Sequence, residues 1–122
     1  MIDRDYQIIF HIMTYCVDIA RSIERFGTDY NTFMSDKDYF NSVSMCLMQI
    51  GELSGRLSDE FKDSTQNQIP WGLVRNMRHR FAHAYDSMEI NTIWETATED
   101  IPHLHSFCKC ILNQEPPPCS PN

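Results

Sequence analysis

Residues 75–85 read RNMRHRFAHAY, which places three arginines, two histidines and a tyrosine within eleven positions. An arginine fork grips a phosphate through two hydrogen bonds, and a histidine titrates near neutral pH. Those are the two parts that metal-free cleavage of RNA needs. The imidazole takes or gives a proton at the 2′-hydroxyl or the leaving oxygen, while the guanidinium stabilises the charge that builds on the phosphorane. A rival reading is structural. A cationic helix face is often a solvated one, or a partner for acids on neighbouring helices, and the chain has 17 acidic residues.

Wound at about 100° per residue, this stretch separates into two faces. Leu73, Val74, Met77, Phe81 and Ala84 share one arc, which is the expected core face. Arg75, Asn76, Arg78, His79, Arg80 and His83 fill the other, with the small Ala82 among them. Arg78 and His83 stand about 140° apart on an ideal helix. They converge on one ligand if the helix unwinds near His83, or if a second subunit closes a groove over them.

Other residues are weaker candidates. Glu52, within IGEL, could position a basic residue in the same cleft, but a carboxylate on a helix surface is the commoner case. Arg75 and Arg80 could contact RNA phosphates, and salt bridges to acidic neighbours fit them equally well. His11 borders the apolar stripe of the first helix. His103 and His105 are two apart and point to different sides of a helix. The nearest approach to a two-helix metal motif is one D-x-x-H, Asp100 to His103, straddling Pro102. No metal site is expected, nor any cofactor, since no Gly-rich phosphate loop or H-E-x-x-H motif is present.

Four helices are expected to carry these residues. In the first, Ile8, Ile12, Cys16, Ile19, Ile23 and Phe26 recur three or four apart, acids near its start suit the helix dipole, and Gly27 supplies a stop. GTDYNTFMSD then reads as a connection. The second begins near Asp36 or Asp38 and carries Phe40, Val43, Leu47, Ile50, Leu57 and Phe61 at helical spacing. Within it Gly51, Ser54 and Gly55 share about one side, which suits close approach of a neighbouring helix. KDSTQNQ reads as a polar loop. Pro70 fits a first turn, so a third helix runs from Trp71 to about His83. The fourth starts near Asn91, with Pro102 inside it as a kink. No alternation of the kind a strand needs competes. The economical architecture is all-α, an antiparallel four-helix bundle spanning residues 1–113, followed by a Pro-rich and disordered tail over 114–122.

Composition limits the function classes. The chain has 122 residues and a formal charge of −7, yet Trp71 to Tyr85 holds three arginines and no acid. Long-range repulsion opposes nonspecific nucleic-acid binding, so an anion has to be gripped locally. No apolar run is long enough to span a bilayer. The first residues lack a secretory pattern, and five cysteines without a C-x-x-C pair argue against a disulfide framework, so a reducing cytoplasm is the expected location.

The same residues resemble a known family. RHRFAHAY, from Arg78 to Tyr85, is similar to the R-x-x-x-x-H-x-Y motif of HepT-like toxins in the HEPN superfamily of small helical ribonucleases. IGELSGRLSDEF resembles the family's I-G-E segment, IPWGLVRNMRHRFAHAY its P-W…R-N…H-x-Y block, and TIWETATEDIPHL its W…D-I-P…L segment. Together they cover residues 3 to about 113 in the family's order.

The resemblance implies a homodimeric HEPN-like bundle with its active site in a cleft between subunits. It implies metal-independent endonucleolytic cleavage of RNA, with Arg78 and His83 catalytic, by the toxin of a type II or VII-like toxin–antitoxin system. It also implies a nucleotidyltransferase-fold antitoxin as partner, with AMPylation of Tyr85 as the means of neutralisation. One position departs from the pattern. The family commonly has asparagine after the motif arginine, and here His79 stands there. A neutral histidine also donates and accepts, with different geometry. His79 therefore either supports His83 one turn on or marks the alternative, a non-catalytic HEPN nucleotide-binding module that pairs with a nucleotidyltransferase.

Overall fold

The computed structural model describes residues 2–82 and 87–113, without the side chains of residues 79–82, 87 and 88. Among the described residues the chain is all-α, and its helices form one bundle around a continuous apolar core. Helix α1 runs Asp3–Phe26, α2 Tyr30–Ser35, α3 Lys37–Ser54, α4 Asp59–Thr65, α5 Trp71–Ala82, α6 Ser87–Glu95 and α7 Ile101–Asn113. A π-turn over Thr96–Asp100 joins α6 to α7. The expected tail over 114–122 lies outside the described residues.

The first helix follows its stripe. Ile8, Ile9, Ile12, Cys16 and Ile19 are buried, and the chain leaves the helix at Gly27 with φ 102°, a conformation that suits a residue without Cβ. Helix α1 packs on α3 and on α7, and α3 packs in turn on α5.

Local capping explains where the elements differ from expectation. The connection after Gly27 contains a short helix, α2, because the Asp29 carboxylate accepts from the backbone N–H and the hydroxyl of Thr32. The expected second helix, continuous to Phe61, is instead two. Helix α3 ends at Ser54, and α4 starts anew with Ser58 as its cap, the hydroxyl accepting from the Phe61 N–H. The Ser58 break is fixed from outside. Asp5 of α1 is 1 % exposed and accepts from the Ser58 N–H at 2.9 Å and its hydroxyl at 2.6 Å. Part of the polar stretch KDSTQNQ is therefore helical, and Thr65 accepts from the Trp71 indole N–H at 2.8 Å.

The fourth segment starts earlier than expected, at Ser87 rather than near Asn91, and meets Pro102 with a wider turn. The Ile101 N–H donates to the Thr96 carbonyl, one residue further back than in an α-helix. A proline ring collides with the carbonyl four residues before it, here that of Thr98, and the π-turn widens the helix at that carbonyl.

On α5 the buried face is narrower than the helical wheel suggested. Val74 and Met77 are buried, but Leu73 is 69 % exposed. It rims an apolar cavity of about 290 Å³ between α5 and the π-turn and start of α7, lined among others by Met77, Thr96, Ile101 and Leu104.

The cysteine reading needs one correction. Cys16, Cys46 and Cys108 are free and buried, whereas Cys110 is disulfide-bonded. The expectation concerned a disulfide framework, and a single bonded cysteine is not one, but cysteine usage no longer carries the inference of a reducing compartment. Among the described residues no helix is long and apolar enough to cross a membrane.

Candidate functional site

The site begins with two helices that approach more closely than side chains ordinarily allow. A Cβ built on Gly51 of α3 would lie 2.9 Å from the backbone nitrogen of Arg78, 3.1 Å from the Val74 carbonyl oxygen and 3.3 Å from that of Arg75. Backbone thus rests on backbone at the middle of the α3–α5 contact. Four residues later Gly55 leaves room for the aliphatic part of Arg75, whose Cγ and Cδ lie 3.6 Å from the corresponding Cβ position. Ser54 is buried on the same helix and donates to the Ile50 carbonyl at 2.8 Å.

Beside this contact lies an open groove of about 500 Å³, lined by Gly51, Glu52, Gly55, Arg56, Arg75, Asn76 and Arg78. Among the described residues that line it Glu52 is the only acid, against three arginines. Glu52 Oε1 forms an ion pair with Arg78 Nε at 3.1 Å, and Oε2 accepts from Arg56 Nη2 at 3.2 Å. Arg78 is 67 % exposed and Glu52 38 %. Pairs this open to solvent contribute little stability, on the order of 0 to 1 kcal/mol. Their consequence is geometric. The carboxylate engages Arg78 along one edge, and the two terminal nitrogens of that guanidinium make no hydrogen bond among the described residues. An incoming phosphate needs that pair of donors.

The structure thus gathers Glu52, Arg75 and Arg78 at one groove. His79 and Arg80 lie in α5, and their side chains are not described; His83 and Tyr85 lie outside the described residues. Sequence reasoning missed Arg56 and passed over Asn76. The signal for Arg56 was the spacing E-x-x-x-R from Glu52, which puts the two side chains together on a helix.

Among the described residues no cysteine lines the groove. Burial, reinforced by neighbouring Cys46, pushes the Cys16 thiol up to about 12. Burial and Asp18 push Cys46 up to about 11, and burial with Cys16 raises Cys108 as well. Thiols held protonated in a core are poor nucleophiles.

The chain is similar to known proteins over most of its length. The profile of the family described as ribonuclease HepT-like matches residues 5–111. A protein of Thermococcus cleftensis named "probable ribonuclease HepT" is 35 % identical over 95 residues, covering 74 % of this chain and 86 % of the relative. A provisionally named RNase of Caldanaerobacter subterraneus subsp. tengcongensis is 29 % identical over 105 residues, covering 86 % and 91 %. Another provisionally named RNase, from Methanocaldococcus jannaschii, is 29 % identical over 108 residues, covering 88 % and 90 %. No solved structure gives a significant match to the chain. With a family profile spanning nearly its whole length, this chain belongs to the HepT-like ribonuclease family.

Proposed function

We propose that the protein is a metal-independent RNA endonuclease in which Arg78 holds the scissile phosphate and His83 moves the proton. One observation carries the first assignment: Glu52 engages Arg78 along its Nε edge at 3.1 Å, on a groove that Arg56 and Arg75 also line. A guanidinium oriented in this way stabilises the negative charge that develops on the non-bridging oxygens during transfer. His83 follows Arg78 by five residues, and an imidazole is the side chain suited to exchanging a proton with the 2′-hydroxyl or the leaving oxygen. Arg75 and Arg80 add phosphate contacts, and His79 supports His83.

The biological reading follows from the family. The chain acts as the toxin of a toxin–antitoxin pair, in the cytoplasm, as a homodimer whose cleft joins two such grooves. A nucleotidyltransferase-fold antitoxin neutralises it by adding AMP to Tyr85. Phosphates placed seven residues beyond Arg78 would occupy the anion site and repel RNA. The domain comprises residues 1–113, with 114–122 as a tail.

The experiment uses purified, partner-free protein on a mixed tRNA and mRNA pool in EDTA, beside Arg78→Ala and His83→Ala. Cleavage that survives the chelator and disappears in both variants supports the reading. His83→Ala cleaving as fast as the parent overturns the proton-transfer assignment.

His79, in place of asparagine, favours a second reading: a nucleotide-binding module without catalysis. Such a module binds ATP or AMP at the Arg78 face and leaves RNA intact. Mass spectrometry of Tyr85 accompanies that result, because an AMP-modified tyrosine would make an active toxin silent.

A further inference from the structure

We propose that Arg56 is a substrate-binding residue of this groove, holding an RNA backbone phosphate beside the one gripped by Arg78. The inference rests on the ribonuclease reading above and extends it to a residue outside the basic stretch 75–85. Its basis is the shared carboxylate. Glu52 meets Arg78 with one oxygen and Arg56 with the other, at 3.1 and 3.2 Å. Two guanidiniums therefore stand within the width of one carboxylate, Arg78 on α5 and Arg56 in the turn that follows α3, facing one groove.

The backbone of Arg56 is anchored while its side chain is open. Its N–H donates to the Leu53 carbonyl at 2.9 Å, and its own carbonyl accepts from Arg4 Nη2 at 2.6 Å. The side chain is 63 % exposed. An arginine carries five N–H donors, and Glu52 engages Nη2 alone, so Nη1 and Nε have no hydrogen-bond partner among the described residues. Gly55 puts no side chain between Arg56 and Arg75, whose stem lies over it. Arg78, Arg75 and Arg56 thus line one groove, with Arg4 bonded to the Arg56 carbonyl beside it, on a chain of net charge −7. A solitary Glu–Arg pair along a helix would need none of these neighbours. A polyanion, which brings neighbouring charges together, fits such a cluster.

The test compares the parent protein with Arg56→Ala, Arg56→Lys and Lys37→Ala. Lys37 is an exposed cation at the opposite end of α3. A fluorescent single-stranded RNA reports binding by anisotropy from 50 to 200 mM salt, and the same RNA reports cleavage. For Arg56→Ala the expectation is a Kd and KM raised about 5- to 20-fold at low salt, with kcat within about twofold of the parent. The slope of log K against log salt becomes shallower by about 0.7, the loss of one single-strand phosphate contact. Arg56→Lys restores part of the affinity, and Lys37→Ala changes binding by less than about twofold.

Arg56→Ala binding as tightly as Lys37→Ala would overturn the proposal, as would a fall in kcat with KM unchanged. In either case a parent that still cleaves keeps the ribonuclease reading intact. A parent that neither binds nor cleaves RNA overturns both. Melting curves are read alongside, and Arg56→Lys keeps the binding test available if the alanine variant fails to fold.

Discussion

Gly51 and the backbone nitrogen of Arg78 are in contact so close that a Cβ on the glycine would stand 2.9 Å away. The residue proposed to hold phosphate is thus positioned through its main chain as well as through Glu52. Gly51→Ala has to push α5 away or bend it. Overpacking of this kind costs about 1 to 3 kcal/mol, against roughly 1 kcal/mol gained in helix propensity, so the variant loses stability or at best breaks even. Its larger effect is on cleavage, since Arg78 shifts relative to Glu52. Gly55→Ala is the control, because its Cβ would meet neighbours no closer than 3.5 Å. Urea midpoints and kcat for both variants check this. Equal behaviour of the two would mean that the close approach has no functional consequence.

The glycine contact is legible in the amino-acid order alone, because small residues at positions 51, 54 and 55 on one helical side announce a close neighbour. Other features are not. A hydrophobic stripe that continues in phase from Phe40 to Phe61 conceals the break at Gly55, which depends on a Ser58 cap held by a carboxylate 53 positions away. Helix α2 is hidden by its length, although Asp29 and Thr32 have cap spacing. Leu73 satisfies the apolar arc of α5 and still faces solvent, because periodicity reports the direction of a side chain and not whether another helix covers it. Within the site, charge density points to the basic stretch, while Arg56 needs the tertiary meeting of α3 and α5 to join it. The disulfide at Cys110 is equally invisible to a count of cysteines.

Asp5 provides a stability test separate from the groove. It is buried and accepts two hydrogen bonds from Ser58, so Asp5→Ala leaves the Ser58 N–H and hydroxyl without their acceptor. An unsatisfied buried donor costs about 1 to 3 kcal/mol. Asp5→Asn retains one acceptor and loses less. Both variants lower the urea midpoint, alanine more than asparagine, and both leave kcat per folded molecule within about twofold, since the capping contact is outside the groove. A stability unchanged by Asp5→Ala would show that Ser58 caps α4 without help.

Alkaline pH tests the buried thiols. The ordinary thiol value is 9.0, and in the folded chain Cys16 and Cys46 are pushed up to about 12 and about 11. Between these limits the unfolded chain has released the protons and the folded chain still holds them. Stability from these groups is therefore complete below pH 9 and falls as pH rises toward 11 to 12. The slope is about 1.4 kcal/mol per pH unit for each thiol in that window. Tyr39, raised mainly by burial, adds loss of the same sign. Urea midpoints measured from pH 8 to 10.5 should decline, and less steeply in Cys16→Ala. Identical slopes in parent and variant would mean that Cys16 ionises as readily folded as unfolded.

Glu52 makes a prediction whose two halves move in opposite directions. Glu52→Gln removes a negative charge from a groove lined by Arg56, Arg75 and Arg78. RNA should therefore bind more tightly, with KM falling several-fold and a steeper salt dependence, on the order of one additional phosphate contact. The same change frees Arg78 from the carboxylate that engages its Nε, so the guanidinium no longer presents its terminal donors in one orientation, and kcat should fall about tenfold. Stability stays within about 1 kcal/mol because both ion pairs are open to solvent. A residue that merely held the fold would lower stability and leave KM and kcat in step. Kinetics over a range of RNA concentrations, beside a urea titration, separate the cases: a KM that rises, or a kcat equal to that of the parent, would remove Glu52 from the machinery that positions Arg78.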